Sequence, residues 1–331
     1  MAVCQQRNLV VNDWLTEVFS QQAYQLVLLA GDASFRRYFR ITANQQNYVL
    51  MDAPPEHENI TSYIQLTTLF RAHQLLVPEI YAAHQSQGLL LLQDFGDDLL
   101  FRVLNANNVN SYYPQAMAML HKLQTSVSIH DDRLLTGWPQ LLAKELSLFS
   151  EWYLQKNLQI DLNSQDQRIV DELCALLIHS AVEQPQVCVH RDFHSRNLLW
   201  VNNQLGMIDF QDACVGSITY DLVSLLKDCY IDWPRGQVEM WVEQFQHQAV
   251  ESGYLTTANT QIFMRWFDLM GLQRHLKVLG IFSRLYLRDH KQAYLADMPR
   301  VIQYVQDVCQ RYPELTLFDQ LVKNKVLPCV R

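Results

Sequence analysis

No lysine occurs before Lys122. Positive charge in the N-terminal third of the chain therefore comes from side chains other than lysine. No stretch of 18 uncharged apolar residues is present, which excludes an ordinary membrane-spanning helix. The strongest candidate, Phe263 to Leu287, carries Arg265, Asp268, Arg274, His275 and Lys277 and reads as a buried amphipathic helix. No C-x-x-C occurs, and an odd count of 7 Cys fits poorly with a closed disulfide framework. Buried thiols in a reducing cytoplasm are expected. Met1 to Ser20 holds no apolar run followed by a small-residue cleavage site, so no secretory leader is expected. There is no basic run, and the net charge of -8 argues against a nucleic-acid partner. No repeat or low-complexity tract is found.

What is present is apolar enough, at 49%, for a sizeable core in one large domain or two lobes. Asp13 to Phe19 reads as a short helix. Leu26 to Leu29, Phe35 to Thr42 and Tyr48 to Asp52 read as strands, the first two flanking a tight turn at Gly31 to Ser34. Ile60 to His73 has helical period, and Leu89 to Gln93 reads as a buried strand. Asp94 to Asp98 breaks the pattern where a hinge would lie, which divides the chain into 1–96 and 97–331. Beyond it, Pro114 suits the first turn of a helix. Pro139 opens another helix, with Leu142, Leu146, Phe149 and Tyr153 on one stripe. Ser164 and Gln167 form a capping-box pattern ahead of Ile169 to Val182.

The chemistry is concentrated between His190 and Asp212. Val187 to Val189 is a short apolar run entering a loop, H-R-D-F-H-S-R-N, which leaves through a strand at Leu198 to Val201. Asn202 and Asn203 tolerate a left-handed backbone and make a turn, and Leu205 to Phe210 returns. A hairpin of that length lays Asp209 beside Asn197. An amide oxygen and a carboxylate then suit Mg²⁺, a hard ion that takes its other ligands from phosphates and water. Asp192 is left as a base for an acceptor hydroxyl. A metallohydrolase built on His190, Asp192 and His194 would leave Asn197 and Asp209 without a task.

The loop resembles that of the aminoglycoside-phosphotransferase and choline-kinase group of small-molecule kinases. The segments Gly31 to Arg40, Met51 to Pro55, Asp209 to Asp212, Thr219 to Leu226 and Trp266 to Lys277 extend the likeness over nearly the whole chain. Together they look like the bacterial anomeric N-acetylmuramate/N-acetylglucosamine kinases of cell-wall recycling. The resemblance implies an α+β, protein-kinase-like fold of two lobes: a small antiparallel-sheet N-lobe that binds nucleotide, and a mainly helical C-lobe with the catalytic loop, metal and acceptor. It implies ATP as co-substrate with Mg²⁺, and transfer of the γ-phosphate to the anomeric hydroxyl of an amino sugar. A cytoplasmic, monomeric kinase without membrane or nucleic-acid partners is expected. An aminoglycoside, choline or homoserine acceptor, or a non-catalytic nucleotide-binding module, are the competing readings.

Relative to such kinases one part is missing. A lysine on the third strand ordinarily contacts the nucleotide phosphates, but here that strand reads Tyr48-Val49-Leu50-Met51-Asp52. Gly31 and Ser34 belong to the expected phosphate loop, and Arg36, Arg37 and Arg40 are the nearest cations. Alternation places Arg36 and Arg40 on one face and Arg37 on the other; phosphate contact and solvated surface charge both remain open for them. Glu56 and Glu58 have no lysine to pair with and receive no role. Adenine is expected at the backbone of Gln93, Asp94 and Phe95. His194, Arg196, Gln211, Asp212 and Arg274 are candidates for the acceptor, and His190 and Asp221 for support of the loop.

Overall fold

The patterned segments fold as helices and strands in a computed structural model that describes residues 2–31, 35–256 and 259–330. In chain order the first elements are α1 (Ala2–Val18), β1 (Gln25–Gly31), β2 (Arg37–Ala43), β3 (Gln46–Asp52), α2 (Thr61–Ala72), β4 (Ile80–His84), β5 (Leu89–Gln93) and α3 (Leu100–Val103). There follow α4 (Val109–Ser126), α5 (Trp138–Leu148), α6 (Ser164–Val182), β6 (Gln186–Val189), β7 (Leu198–Val201), β8 (Gln204–Met207) and β9 (Cys214–Ser217). The chain ends in α7 (Tyr220–Leu226), α8 (Arg235–Glu251), α9 (Thr260–Asp289), α10 (Met298–Cys309) and α11 (Thr316–Leu321).

Two compact units result. One comprises Met1–Arg102 and Leu198–Gln211, the other Val103–Asn197 and Asp212–Arg331. The division thus falls after Arg102 instead of after residue 96, and the β7–β8 hairpin packs with the N-terminal segment although it is distant in sequence. Its backbone explains this. Trp200 N–H donates to the Asp98 carbonyl at 2.8 Å, and Met207 N–H donates to the Leu76 carbonyl at 2.9 Å. A Cβ on Gly206 would stand 2.6 Å from the Phe95 ring, so only glycine permits the approach.

The first unit is an antiparallel sheet in the order β1-β2-β3-β5-β4. Ile41, Leu50, Leu89 and Leu91 bury one face against Val11, Trp14 and Leu15 of α1. This helix begins well before Asp13, because Arg7 is tied down by tertiary bonds to Asp52 at 2.8 Å and to the Gln87 carbonyl at 2.6 Å. Such bonds leave no local pattern. The turn expected at Gly31 to Ser34 is described only at Gly31, which pairs with Arg37; Ser34 lies outside the described residues.

The second unit is built around α9, whose Leu269, Leu272, Leu276 and Leu279 share a core with α5, α6, α10 and α11. The stripe of Leu142, Leu146, Phe149 and Tyr153 is buried, but beyond Leu148 it continues as a wider π-helical stretch, Phe149–Asn157. Two sequence expectations shift. The cap of α6 is Asn163, whose side chain accepts from the N–H groups of Gln165 and Asp166, while Asp166 reaches back as the box partner. The box is therefore one residue ahead of Ser164, because Asn163 caps as well as serine does. Pro114 lies inside α4, which starts at Val109.

Candidate active site

In the second unit, β6 delivers the chain into the loop His190 to Asn197. The first turn of α7 supplies Asp221, whose carboxylate accepts from His190 N–H at 2.6 Å and Arg191 N–H at 3.0 Å. Burial pushes the Asp221 carboxyl up to about 7, with the two backbone donors opposing it. Asp228 holds the next stretch, accepting from Ser195 N–H at 3.0 Å and Ser195 Oγ at 2.5 Å. Asn197 closes the loop on itself: its amide nitrogen donates to the Asp192 carbonyl at 3.0 Å. His190 is fully buried, with Nδ1 3.3 Å from Asp192 N–H.

Arg191 has a φ of +79°, in the left-handed region. A non-glycine residue there costs on the order of 1 kcal/mol or more and persists only where its surroundings enforce it. Its guanidinium donates to Glu145 Oε1 at 2.8 Å, and its carbonyl accepts from Arg274 Nη1 at 2.6 Å. Glu145, on α5, also meets Lys277 at 2.9 Å and accepts from Tyr220 Oη at 3.2 Å and Gln273 Nε2 at 3.1 Å. Burial alone would raise the Glu145 carboxyl, but Lys277 and Arg191 outweigh it and hold it below its ordinary value.

Asp192 follows directly, its side chain 40% exposed. Burial works to raise its carboxyl, yet the fields of Lys277, Arg274, His194 and Arg191 prevail and keep it well below the usual carboxylate range. Arg274 Nη2 is 3.9 Å from its Oδ1. Arg274 thus faces the loop carbonyl and the base. Arg196 lies over Tyr230, 3.5 Å from the ring centroid, and His194 meets the same ring edge-on at 5.6 Å. His194 Nδ1 is buried with no hydrogen-bond partner among the described residues. Asp212 is exposed.

The first unit holds the other sequence candidates. Asp209 follows β8 with a φ of +65° and a side chain 30% exposed. Gln211 Nε2 donates to its Oδ1 at 2.9 Å, while Gln211 Oε1 is buried without a partner among the described residues. Phe210, between them, is anchored between Tyr63 and Phe70 of α2. The three arginines separate by partner. Arg37 pairs with Asp52. Arg40 makes a fork onto Asp94, at 2.5 and 3.0 Å, and reaches Asp97 at 2.8 Å. Arg36 instead bonds Glu58 at 2.8 and 3.1 Å and lies 3.8 Å from Asp209. Burial would lower the Arg36 guanidinium, but Tyr38, Glu58 and Asp209 hold it firmly charged.

At the expected hinge the side chains serve the fold. Gln93 Oε1 accepts from Glu79 N–H at 3.4 Å, Asp94 accepts from Gly96 N–H at 2.8 Å, and Phe95 packs on Gly206. Sequence reasoning passed over Glu58 and Glu145. Glu145 had left a trace: it is a charge set beside Leu142 and Leu146 on an otherwise apolar stripe. Among the described residues no three His, Cys, Asp or Glu side chains cluster as metal ligands.

Residues 25–258 match the phosphotransferase enzyme family, and the chain belongs to it. Over 325 residues it is 37% identical to an N-acetylmuramate/N-acetylglucosamine kinase of Pseudomonas putida, covering 96% of this chain and 95% of that one. A kinase of the same name from Neisseria meningitidis is 34% identical, covering 94% and 93%. Among solved structures, an ADP-bound aminoglycoside phosphotransferase aligns with a TM-score of 0.59 at 16% identity, covering 90% of this chain and 98% of that one. A Plasmodium vivax ethanolamine kinase aligns at 0.62 and 13% identity, covering 85% and 82%. The fold is accordingly the protein-kinase-like one of these enzymes, with its small antiparallel sheet and helical remainder, and the protein is a kinase.

Proposed function

We propose that the protein transfers the γ-phosphate of ATP to the anomeric hydroxyl of N-acetylmuramate or N-acetylglucosamine in the cytoplasm. The observation that carries this is the 37% identity, over almost the full length of both chains, to a relative bearing that name. Asp192, Asn197 and Asp209 supply the groups this reading calls on. Asp192 receives the hydroxyl proton as the sugar oxygen bonds to phosphorus and the bond to the β-phosphate oxygen breaks, releasing ADP. An anomeric hydroxyl is more acidic than other sugar hydroxyls, so a carboxylate held strongly ionised is a sufficient base. The proton then passes to the phosphate product or to solvent.

Asn197 and Asp209 are the proposed magnesium ligands. Asn197 immediately precedes β7, and Asp209 lies two residues after β8. An amide oxygen and one carboxylate match an ion that completes its shell from phosphates and water. Bound there, magnesium neutralises charge developing on the transferred phosphate. Arg36 is the proposed phosphate contact: Arg37 and Arg40 are committed to Asp52 and the hinge, whereas Arg36 already lies against Asp209. Its pairing with Glu58 supplies the cation–carboxylate pair that the missing strand lysine cannot. His194 and Arg196, sharing the Tyr230 ring next to Asp192, are the proposed acceptor contacts.

An ATP-coupled assay with N-acetylmuramate, N-acetylglucosamine, kanamycin and choline tests the reading, with the product's phosphate located by phosphorus NMR. An anomeric phosphate on an amino sugar is expected. Turnover confined to the cationic acceptors would overturn the substrate assignment, and no transfer to any acceptor would overturn the enzyme's proposed reaction.

A further inference from the structure

We infer that Arg191 is a positioning residue, kept in a left-handed backbone conformation by its bond to Glu145 so that Asp192 is presented to the acceptor. This rests on the reading of Asp192 as the base. Three elements grip residue 191: α7 through Asp221 on its N–H, α9 through Arg274 on its carbonyl, and α5 through Glu145 on its side chain. A glycine would occupy a φ of +79° without strain, so the side chain is retained for some other reason. Charge balance is not that reason. Lys277 stands 2.9 Å from Glu145 and already compensates it. A second buried cation against the same carboxylate stands one residue from the base.

The arrangement therefore does two things at Asp192. It fixes the backbone turn that aims the carboxylate, and it adds to the positive surroundings formed by Arg274 and Lys277 from α9 and by His194 from the loop. Because residue 191 lies outside the proposed phosphate contacts, its loss falls on the acceptor side of the reaction.

The test compares Arg191→Gly with Asp192→Asn and the unaltered enzyme. Arg191→Gly relieves the backbone strain, so its melting temperature is expected to stay within a few degrees of the original or to rise. Its kcat is expected to fall about tenfold to a hundredfold, as for a misaimed catalytic group, with KM for ATP little changed. Unaltered kcat in Arg191→Gly, beside an inactive Asp192→Asn, would overturn this inference alone. A lowered melting temperature with unaltered turnover per folded molecule would overturn it as well, by making Arg191 a structural strut. Sustained turnover in Asp192→Asn would instead remove the base assignment on which it stands.

Discussion

Replacing Glu145 by glutamine strips the buried cluster of its carboxylate and leaves Arg191 and Lys277 facing a neutral amide. Glu145 is 4% exposed, and both cations lie within 3 Å of its Oε1. Removing one partner of a buried ion pair costs roughly 3–5 kcal/mol, since the remaining charge stays desolvated. For a domain of about 200 residues each kcal/mol shifts the melting temperature by ~2–4 °C. Calorimetry at neutral pH is therefore expected to show a loss of about 6–20 °C. A companion Glu145→Gln/Lys277→Met variant removes one stranded cation and is expected to recover a substantial part of the loss, giving a positive coupling in the double-mutant cycle. The pH dependence has a definite sign. The Glu145 carboxyl is held below its ordinary 4.5 in the folded protein. Its contribution is thus complete above that value and fades as pH falls through the folded-state pKa. The gap between the original and Glu145→Gln should narrow as pH falls below the ordinary carboxylate range. A loss below about 1 kcal/mol, or a gap that does not change with pH, would refute the reasoning.

Three further outcomes follow from the same geometry. Asp192→Asn is expected to reduce kcat by ~10²–10⁴ with an unaltered melting temperature, read by steady-state kinetics and calorimetry. Arg36→Ala is expected to raise KM for ATP severalfold, whereas Arg37→Ala and Arg40→Ala should act mainly on stability; ATP titrations and thermal melts on all three separate the roles. Gly206→Val drives a side chain into the Phe95 ring and is expected to destabilise by about 1–3 kcal/mol, measured by denaturant unfolding.

The legible parts of the sequence were those whose cause is local. Asn202 and Asn203 announce a turn because asparagine accepts a left-handed backbone, and both have positive φ, +47° and +63°. The alternation of short apolar runs around them gives β7 and β8, and the spacing from His190 to Asp209 gives the site's order. What escaped depends on residues far apart in the chain. Arg36 and Glu58 are 22 positions apart, and each looks like an ordinary surface charge until β2 and the start of α2 are brought together. The Glu145 cluster gathers three elements, and neither its own helix nor the loop discloses the others. Capping was legible in kind but not in register, because Asn163 and Ser164 are adjacent residues of nearly equal capping strength.

The hairpin at Leu198–Gln211 also governs how the protein can be made. The N-terminal unit includes strands encoded almost a hundred residues beyond the point where its first segment ends at Arg102. During synthesis, Phe95 and the ring pocket of Tyr63 and Phe70 wait uncovered until residue 211 has left the ribosome, while the α4 to β6 segment emerges in between. Neither unit corresponds to a continuous gene fragment, so cutting the coding sequence at either crossing yields a piece with an open apolar flank that calls for chaperone protection.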